Sequence, residues 1–434
     1  LFSCKSSQEA TAKKESVGIN VGYMDKSTNP ADDFNRYVNG TWLDKTEIPA
    51  DRTRWGSFDE LRKNTDDDVM AILKEAIKDK SIDPNSDQAK AINLYKTVLD
   101  TVSRNKAGID PLKPYLAKIN SVQNADQLVA LLAEMEPEMG LGFFGSYIGA
   151  DAKNSNKNVI YVGTGSLGLP DRDYYVSDAP DNKEKREKYL THIARMLKFI
   201  GESEDVANVN AKKILALETK MSTATLDRVQ RRDRRNTYNP MSFADLQKLA
   251  PTVKWDAYFQ TVGMGKVDSL VVSQPKYLQT VETILKDNQV EDWKAYMRWT
   301  ALRGSAGLLS TDIENANFEF YGKTLTGAVK QRPAEERALA TVNGRLGEAL
   351  GKLYVAKKFP PEAKEKAQAM IANVMKAFDN RIDNLPWMTK ATKENAKIKL
   401  NKFRVKIGYP DKWKDYSALE MKSPEQGGTY FDNS

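Results

Sequence analysis

Apolar residues recur at intervals of three and four positions along most of this chain, which is the spacing of one face of an α-helix. Stripes of this kind comprise Val69, Leu73, Ala76 and Ile77; Ile92, Tyr95, Leu99 and Val102; and Tyr189, Ile193, Leu197 and Ile200. Two later stripes comprise Ile371, Met375, Phe378, Ile382 and Leu385, and Ala396, Leu400 and Phe403. We interpret all five as faces that pack into a core, and the pattern predicts a mainly α fold.

Strand-like patterns are scarce. Two short runs rich in aromatic and β-branched residues, 143–150 and 159–163, flank a polar loop rich in Asn and Lys. This arrangement predicts a minor β-hairpin on a helical body. The chain shows no repeat of fixed period and no long low-complexity linker, so one large helical lobe is the simplest arrangement.

Several single residues carry local predictions. Thr65 precedes three aspartates, which predicts the start of a helix with acidic residues near its positive end. Three glycines lie on one helical stretch, namely Gly344, Gly347 and Gly351, and we expect another backbone segment to approach that helix closely there. We expect four tryptophans to anchor packing contacts, namely Trp42, Trp55, Trp387 and Trp413.

Composition bounds the class of protein. The 434 residues suffice for two or three domains or one large two-lobed unit. A hydrophobic content of 40% with 29% charged residues is typical of a globular protein. No apolar run approaches the roughly 18 residues of a membrane-spanning helix. We interpret the net charge of +7 as spread along the chain, and we therefore expect no nucleic-acid partner.

The single cysteine, Cys4, excludes an intrachain disulfide. Leu1-Phe2-Ser3-Cys4 resembles the end of a bacterial lipoprotein signal, in which the cysteine becomes a lipid-modified N-terminus. The chain lacks an initial methionine and an apolar stretch before Cys4, so we expect a sequence cut within its signal. The alternative is a free cysteine in a flexible terminus. Residues 1–28 are accordingly interpreted as a signal remnant and tether.

One glycine-rich segment, Gly163-Thr164-Gly165-Ser166-Leu167-Gly168, fits the Gly-x-Gly-x-x-Gly pattern of dinucleotide sites. Such a site needs a helix to open beneath the pyrophosphate. Pro170 stands where that helix should be established, and its ring and missing N–H disfavour a helix interior. A turn is therefore the preferred interpretation, and a Rossmann fold is rejected.

A dense basic run follows, with arginines at positions 228, 231, 232, 234 and 235. Phosphate binding is conceivable, but Asp227 and Asp233 interrupt the run and no aromatic residues interleave within it for base stacking. A solvated or salt-bridged segment is favoured.

His192 is the only histidine. A zinc site of the peptidase kind needs several imidazole or carboxylate ligands, which one histidine cannot supply. We therefore predict a structural or surface histidine and no metal ligands. We assign no catalytic residues in this chain, although paired carboxylates for acid–base work stay open because no spacing singles any out.

Arg54 and Arg62 lie eight positions apart around the run Trp55-Gly56-Ser57-Phe58. A guanidinium can grip a carboxylate with two parallel hydrogen bonds, which suits recognition of the C-terminal end of a peptide. Position alone favours ordinary surface ion pairs.

Several separate motifs resemble the neprilysin family of zinc metallopeptidases. They occur in this order: Asp33-Phe34 through Trp42, Arg54-Trp55-Gly56-Ser57-Phe58, Leu169-Pro170-Asp171-Arg172-Asp173-Tyr174-Tyr175, Tyr238-Asn239-Pro240-Met241, Leu350-Gly351-Lys352-Leu353-Tyr354, Trp387-Met388 and Ile407-Gly408-Tyr409-Pro410. The resemblance extends from about residue 29 to the end. It covers the part of the family that precedes the His-Glu-x-x-His zinc motif, which is absent here.

The resemblance implies a large helical lobe of a two-lobed metallopeptidase, which covers the zinc-bearing lobe and limits access to short peptides. It implies that Arg54 and Arg62 bind the substrate's C-terminal carboxylate, and that zinc is a cofactor of the complete enzyme. The predicted domains are residues 29–410, the helical domain, and 411–434, the start of a link to an absent catalytic domain.

We therefore predict the N-terminal part of a zinc metalloendopeptidase, inactive alone, whose partners are short peptides, the missing catalytic domain and, through a lipid anchor at Cys4, a bacterial membrane. The expected location is the cell envelope. Two alternatives stay open, namely a non-enzymatic peptide-binding lipoprotein and a glycan-binding lipoprotein.

Overall fold

The computed structural model describes residues 18–140, 142–287 and 289–434. Cys4 and residues 5–17 of the predicted tether lie outside these residues, whereas residues 18–28 are described and include a 3-10 turn, Val21–Tyr23. Helices dominate, as predicted. They are α1 Phe34–Lys45, α2 Ser57–Ala76, α3 Asp87–Leu99, α4 Thr101–Ala107, α5 Lys113–Ser121, α6 Ala125–Met139, α7 Arg172–Val176, α8 Pro180–Lys198, α9 Glu204–Thr223, α10 Arg228–Arg232, α11 Arg234–Thr237, α12 Phe243–Leu249, α13 Trp255–Thr261, α14 Pro275–Asp287, α15 Val290–Ser305, α16 Thr311–Phe318, α17 Ala334–Lys358, α18 Pro361–Asp383 and α19 Lys390–Asn401.

Helix starts follow local chemistry. The Ser86 and Ser203 side chains accept hydrogen bonds from backbone N–H groups in the first turns of α3 and α9. Pro180 and Pro361 occupy first-turn positions of α8 and α18, where a missing N–H is harmless. The predicted start at Thr65 is wrong, because α2 begins at Ser57 and takes its first-turn negative charges from Asp59 and Glu60.

The predicted hairpin is present within one residue at each end. Its strands are β1 Phe144–Ala150 and β2 Asn158–Thr164, paired antiparallel with Phe144 opposite Thr164. The hairpin belongs to a four-stranded sheet of order β1-β2-β4-β3, in which β3 is Asn239–Ser242 and β4 is Ser269–Val272. Strand β4 runs parallel to β2, and β3 carries Pro240 on the opposite edge, where a missing donor is tolerated.

The chain divides into two compact units, residues up to Leu61 and residues from Arg62 onward. In the described part of the first unit, α1 buries only Gly40. The second unit contains a large apolar cluster built mainly from α5, α6, the sheet, α8, α9 and α13 to α16, with Trp255, Trp293 and Trp299 fully buried. A second cluster joins α2, α3 and α17.

The stripe prediction is confirmed for α2 and α8, and for Ile92 and Tyr95 of α3, which are buried. It is wrong for Val102, because α3 ends at Leu99 and Val102 lies on α4 with 79% of its side chain exposed. It is wrong for α18 and α19, in which no residue is buried. Phe378 is 55% exposed and Trp387, expected as a packing anchor, is 71% exposed. The helices form where the pattern predicts, but the described apolar residues of α18 and α19 are at most half-buried.

The close-approach prediction for Gly344 and Gly347 is also wrong. Among the residues that the structure describes, no atom from outside the adjoining backbone of α17 lies within 4 Å of a Cβ built on either glycine. The two glycines instead flank Leu346, whose backbone leaves the helical region (φ −125°, ψ 36°) and kinks α17. A helix weakened by nearby glycines is a common place for a kink.

Candidate functional site

The glycine-rich loop after β2 is held by hydrogen bonds from its backbone N–H groups to other parts of the protein. Gly165 N–H donates to the Phe143 carbonyl and the Tyr277 hydroxyl, at 3.2 and 3.1 Å. Gly168 N–H donates to Glu218 at 3.1 Å, and Leu169 N–H donates to the Tyr175 hydroxyl at 2.7 Å. These N–H groups are therefore not available to a phosphate, and the next helix, α7, begins only at Arg172. The preference for a turn over a dinucleotide site is supported.

Glycine is required in this loop for steric reasons. A Cβ on Gly165 would lie 2.5 Å from the Gly142 carbonyl oxygen and 2.7 Å from the Phe143 carbonyl carbon. A Cβ on Gly168 would meet the Tyr189 hydroxyl and lie 3.0 Å from Glu218. Because backbone atoms cannot yield as a flexible side chain can, Gly165 marks a close approach of two backbone segments.

Glu218 on α9 binds the glycine-rich loop and was not among the residues predicted from the sequence. Its side chain is 1% exposed and accepts hydrogen bonds from the Tyr175 and Tyr189 hydroxyls, both at 2.9 Å, besides that from Gly168. Burial raises the pKa of Glu218, whereas Arg303 and the tyrosine donors oppose that rise. The signal that could have revealed it is its place on the apolar stripe of Ile214 and Leu217, since a carboxylate on a core face needs partners.

Two cavities lie along this loop. One, of about 520 Å³, is bordered by Glu136, Ser146, Tyr147 and residues 163–166. The other, of about 420 Å³, is bordered by residues 164–172, with Arg231 and Tyr321. Because Thr164, Gly165 and Ser166 border both, the rigid loop forms their shared wall.

The basic run is largely paired, as favoured from the sequence. Arg228 Nε and an Arg231 guanidinium nitrogen lie 2.8 and 2.9 Å from Asp171 Oδ2, and Arg235 pairs with Asp233. Burial alone would raise the pKa of Asp171, but hydrogen bonds from Arg228 and the Asp173 backbone outweigh it and lower that pKa. Arg228 and Arg231 therefore fasten α10 to the loop that carries Asp171.

His192 lies on the buried side of α8. Its ring stacks on Phe320 at 4.8 Å between centroids, with Trp299 and Tyr321 presenting their edges at 5.5 and 5.4 Å. Phe320 and Tyr321 belong to a π-helical turn, Glu319–Thr324. Burial lowers the pKa of His192 to about 3, so the ring is neutral near neutral pH.

The described residues do not fit a zinc ion. In the three described ranges no three His, Cys, Asp or Glu side chains gather as metal ligands would. His192, the sole imidazole, is enclosed by aromatic rings.

In the same ranges, no helix is both long and apolar enough to cross a membrane.

Arg54 and Arg62 both present exposed side chains. The Arg54 side chain is 85% exposed, and its Nε lies 3.7 Å from Asp59 Oδ1, a distance at which an exposed pair contributes little. Arg62 lies on the exposed side of α2. The two arginines fall in different compact units, each described by itself, so their joint role stays a prediction.

Comparison with known proteins gives consistent matches. The model of Peptidase family M13 matches residues 30–410. Endothelin-converting enzyme 1 of Rattus norvegicus is 28% identical over 431 residues, which covers 95% of this chain and 55% of that protein. Neprilysin-3 of Drosophila melanogaster is 29% identical over 435 residues, with the same coverage. The chain thus spans about half the length of these relatives.

Among solved structures, the crystal structure of the Mycobacterium tuberculosis zinc metalloprotease Zmp1 in complex with an inhibitor superposes with a TM-score of 0.87 at 34% identity. It covers 96% of this chain, and the chain covers 64% of it. The crystal structure of PepO from Lactobacillus rhamnosis, at 21% identity and a TM-score of 0.80, shares the fold.

Proposed function

Because the chain belongs to peptidase family M13, as the N-terminal portion of a neprilysin-family zinc metallopeptidase, we propose that it forms the access-limiting and substrate-binding part of an endopeptidase that hydrolyses short peptides. The observation that carries the proposal is the family match over residues 30–410. The superposition on Zmp1 over 96% of the chain supports it.

The catalytic metal belongs, in this proposal, to a further lobe. When bound there, zinc lowers the pKa of a water molecule and polarises the scissile carbonyl. The described residues of this chain offer no ligand set for it. The 434-residue chain by itself should hydrolyse no peptide by a zinc mechanism.

Arg54 and Arg62 are proposed to bind the C-terminal carboxylate of the substrate. Support comes from the motif around Arg54 and from the exposure of both side chains. A guanidinium is always charged and offers paired donors to a carboxylate, so each arginine would orient a peptide without taking part in bond cleavage.

Attachment to a bacterial envelope through a lipid on Cys4 completes the proposal. Its support is the Leu1-Phe2-Ser3-Cys4 sequence. Acyl chains on Cys4 would hold the protein at a membrane surface without a spanning helix. Mass spectrometry of the mature N-terminus from source cells tests it, and an unmodified Cys4 would refute the anchor.

The first test of the function is to read the coding sequence beyond the codon for Ser434. We expect a His-Glu-x-x-His motif with a later glutamate ligand. The encoded protein should cleave a fluorogenic peptide in a chelator-sensitive way, and the 434-residue chain should not. A stop codon after Ser434, or chelator-sensitive cleavage by the chain alone, would contradict the proposal.

A second test addresses the arginines in the complete protein. Arg54→Ala and Arg62→Ala should each raise KM for a peptide with a free C-terminus, since a charge-assisted hydrogen bond contributes about 1.5–3 kcal/mol. KM for the same peptide with an amidated C-terminus should change little. Arg232→Ala, which removes an exposed arginine of the basic run, is the control. Equal effects on both peptides would exclude carboxylate recognition.

A further inference from the structure

The second cavity along the glycine-rich loop has no task in the proposed function. Its volume of about 420 Å³ is that of a site for a small molecule. The residues that border it all belong to the second compact unit. Ser166 and Pro170, on its border, are exposed, so the cavity opens to solvent. We name it the Arg172 cavity, after an arginine in its wall that belongs to the motif at residues 169–175.

Arg172 is a cation that the protein leaves without hydrogen bonds. Its Nε is buried and has no hydrogen-bond partner among the described residues. An Nη atom lies 3.8 Å from Asp173 Oδ1, which is beyond hydrogen-bond distance. The Arg172 side chain is 30% exposed, so most of its surface has left water. Because donors that are buried without acceptors cost free energy, an acceptor from outside the chain would stabilise this guanidinium.

The neighbouring aspartate does not supply that acceptor. Asp171 Oδ2 already accepts from Arg228 Nε and an Arg231 Nη atom, at 2.8 and 2.9 Å, and the Asp171 side chain is 7% exposed. Asp171 Oδ1 accepts from the Asp173 N–H at 3.3 Å. Three arginines here meet two aspartates, so one positive charge is left over. The local charge therefore favours an anionic ligand.

The carbonyl groups of the glycine-rich loop already have donors. Three successive carbonyls accept hydrogen bonds from side chains at 3.3, 2.6 and 2.9 Å, namely Ser166 from Tyr296, Leu167 from Arg303 and Gly168 from Tyr321. A metal ion or an ammonium group needs acceptors, and this wall offers few that are not in use.

Gln274 adds a neutral donor to the cavity wall. Its Oε1 accepts from the Leu226 N–H at 2.7 Å, and since a backbone N–H can only donate, this bond fixes which end of the amide faces Leu226. The NH₂ group of Gln274 is left without a protein acceptor in the described part of the chain. An oriented amide donor that shares a cavity with a guanidinium suits an oxyanion.

We propose that the Arg172 cavity binds a small oxyanion, a carboxylate or phosphate group, through the Arg172 guanidinium and the Gln274 amide, with Arg231 adding positive charge. These donors are side chains, whereas a dinucleotide would need N–H groups of the loop that the protein already uses. The oxyanion belongs either to a free small molecule or to an acidic side chain of a peptide, which share this chemistry. The site needs neither zinc nor a further lobe, so it does not depend on the proposed function.

Calorimetric titration of the 434-residue chain with inorganic phosphate, at constant ionic strength, tests the site. We expect saturable binding. Arg172→Gln should weaken it about tenfold or more, because a charge-assisted hydrogen bond is lost. Arg235→Gln is the matched control, since it removes the same charge from a side chain that is 89% exposed and paired with Asp233. It should change the affinity by less than about twofold, because exposed charges are screened by salt.

Gln274→Glu tests the same cavity without removing an arginine. Glutamate keeps an acceptor for the Leu226 N–H and replaces the amide donor with a negatively charged oxygen. Phosphate binding should weaken about tenfold or more, because a like charge then faces the anion. The thermal midpoint of each variant is measured alongside, and this variant decides the matter if Arg172→Gln does not fold. Wild-type affinity in folded Gln274→Glu would overturn the proposal.

Two peptides distinguish the sources of the oxyanion. Both are blocked at their ends, and they differ only in a central Glu or Gln. Preference for the Glu peptide that Arg172→Gln abolishes would assign the site to acidic residues of peptides. Phosphate binding without a preference between the peptides would assign it to a free anion.

The site is refuted by two results. One is the absence of saturable binding of phosphate and of the Glu peptide, and the other is equal weakening by Arg172→Gln and Arg235→Gln. Because no peptide cleavage is measured, either result would leave the proposed function intact. A gene that ends at Ser434 would refute the proposed function and leave the oxyanion site untouched.

Discussion

At the scale of single residues, burial decides what His192 can do. Its ring is 5% exposed and surrounded by aromatic side chains, with Arg195 and Arg303 adding positive charge nearby. The native state therefore resists protonation. The sequence predicted a structural or surface histidine, whereas the burial of His192 and its stacking on Phe320 depend on a π-helical turn far away in sequence.

His192 makes the stability of the fold sensitive to acid. Its pKa falls from 6.5 in the unfolded chain to about 3 in the native state. Below about pH 6.5 the unfolded state binds a proton that the native state does not, so stability falls by up to about 1.4 kcal/mol per pH unit. His192→Phe should flatten the fall in unfolding free energy between about pH 6.5 and about pH 4, measured by urea titration. An identical pH dependence in the variant would contradict this assignment.

Glu218 should be among the costliest residues to truncate. Glu218→Ala would leave two buried tyrosine hydroxyls and the Gly168 N–H without their acceptor. Because each buried donor left without an acceptor costs about 1–3 kcal/mol, we expect a loss of about 3 kcal/mol or more in unfolding free energy. Glu218→Gln, which keeps the shape and one acceptor oxygen, should cost less. Lys220→Ala, at an exposed site on the same helix, should stay within about 0.5 kcal/mol. Equal effects of Glu218→Ala and Lys220→Ala would disprove the network's role.

At the scale of elements, the Gly-x-Gly-x-x-Gly segment shows how a motif can be present for packing. The N–H groups of Gly165 and Gly168 donate to the protein itself, and Gly165 allows the end of β2 and the segment before β1 to approach each other. From sequence, Pro170 sufficed to reject a dinucleotide site. The partners Tyr277, Glu218 and Tyr175 come from distant elements, so no local pattern indicated them.

Two glycines of this segment offer a matched comparison. Gly165→Ala places a methyl group 2.5 Å from a backbone oxygen and should destabilise the protein by about 1–3 kcal/mol or more. Gly163→Ala, in β2, places its methyl group 3.9 Å from the nearest atom, the Gly145 carbonyl oxygen, and should cost little. Urea unfolding of both variants checks this. The explanation fails if the two alanines cost the same.

At the scale of the whole molecule, stability should be uneven. Helix α15 buries Trp293, Trp299 and seven other residues, whereas α18 and α19 bury none and α1 buries only Gly40. Local opening costs little where few apolar contacts are lost. The uneven burial therefore predicts uneven protection of the backbone amides against hydrogen exchange.

Hydrogen exchange checks this distribution in the 434-residue chain. Amides of α1, α18 and α19 should exchange faster than those of α8, α9 and α15, because their opening exposes less apolar surface. The exposed helix α10 serves as a fast reference and the core helix α15 as a slow one. Protection in α18 equal to that in α15 would show that α18 is held more firmly than its burial indicates.

The sequence by itself determined the helices, the β1–β2 hairpin and the membership of a peptidase family, because periodicity and ordered motifs are local signals. It also determined that one histidine cannot supply a zinc site of the peptidase kind. Only the tertiary structure decided that β3 and β4 complete the sheet, that Glu218 fixes the glycine-rich loop and that α18 and α19 bury none of their residues. Periodicity shows that a helix has an apolar face, whereas what covers that face depends on residues far away in sequence or on another body altogether.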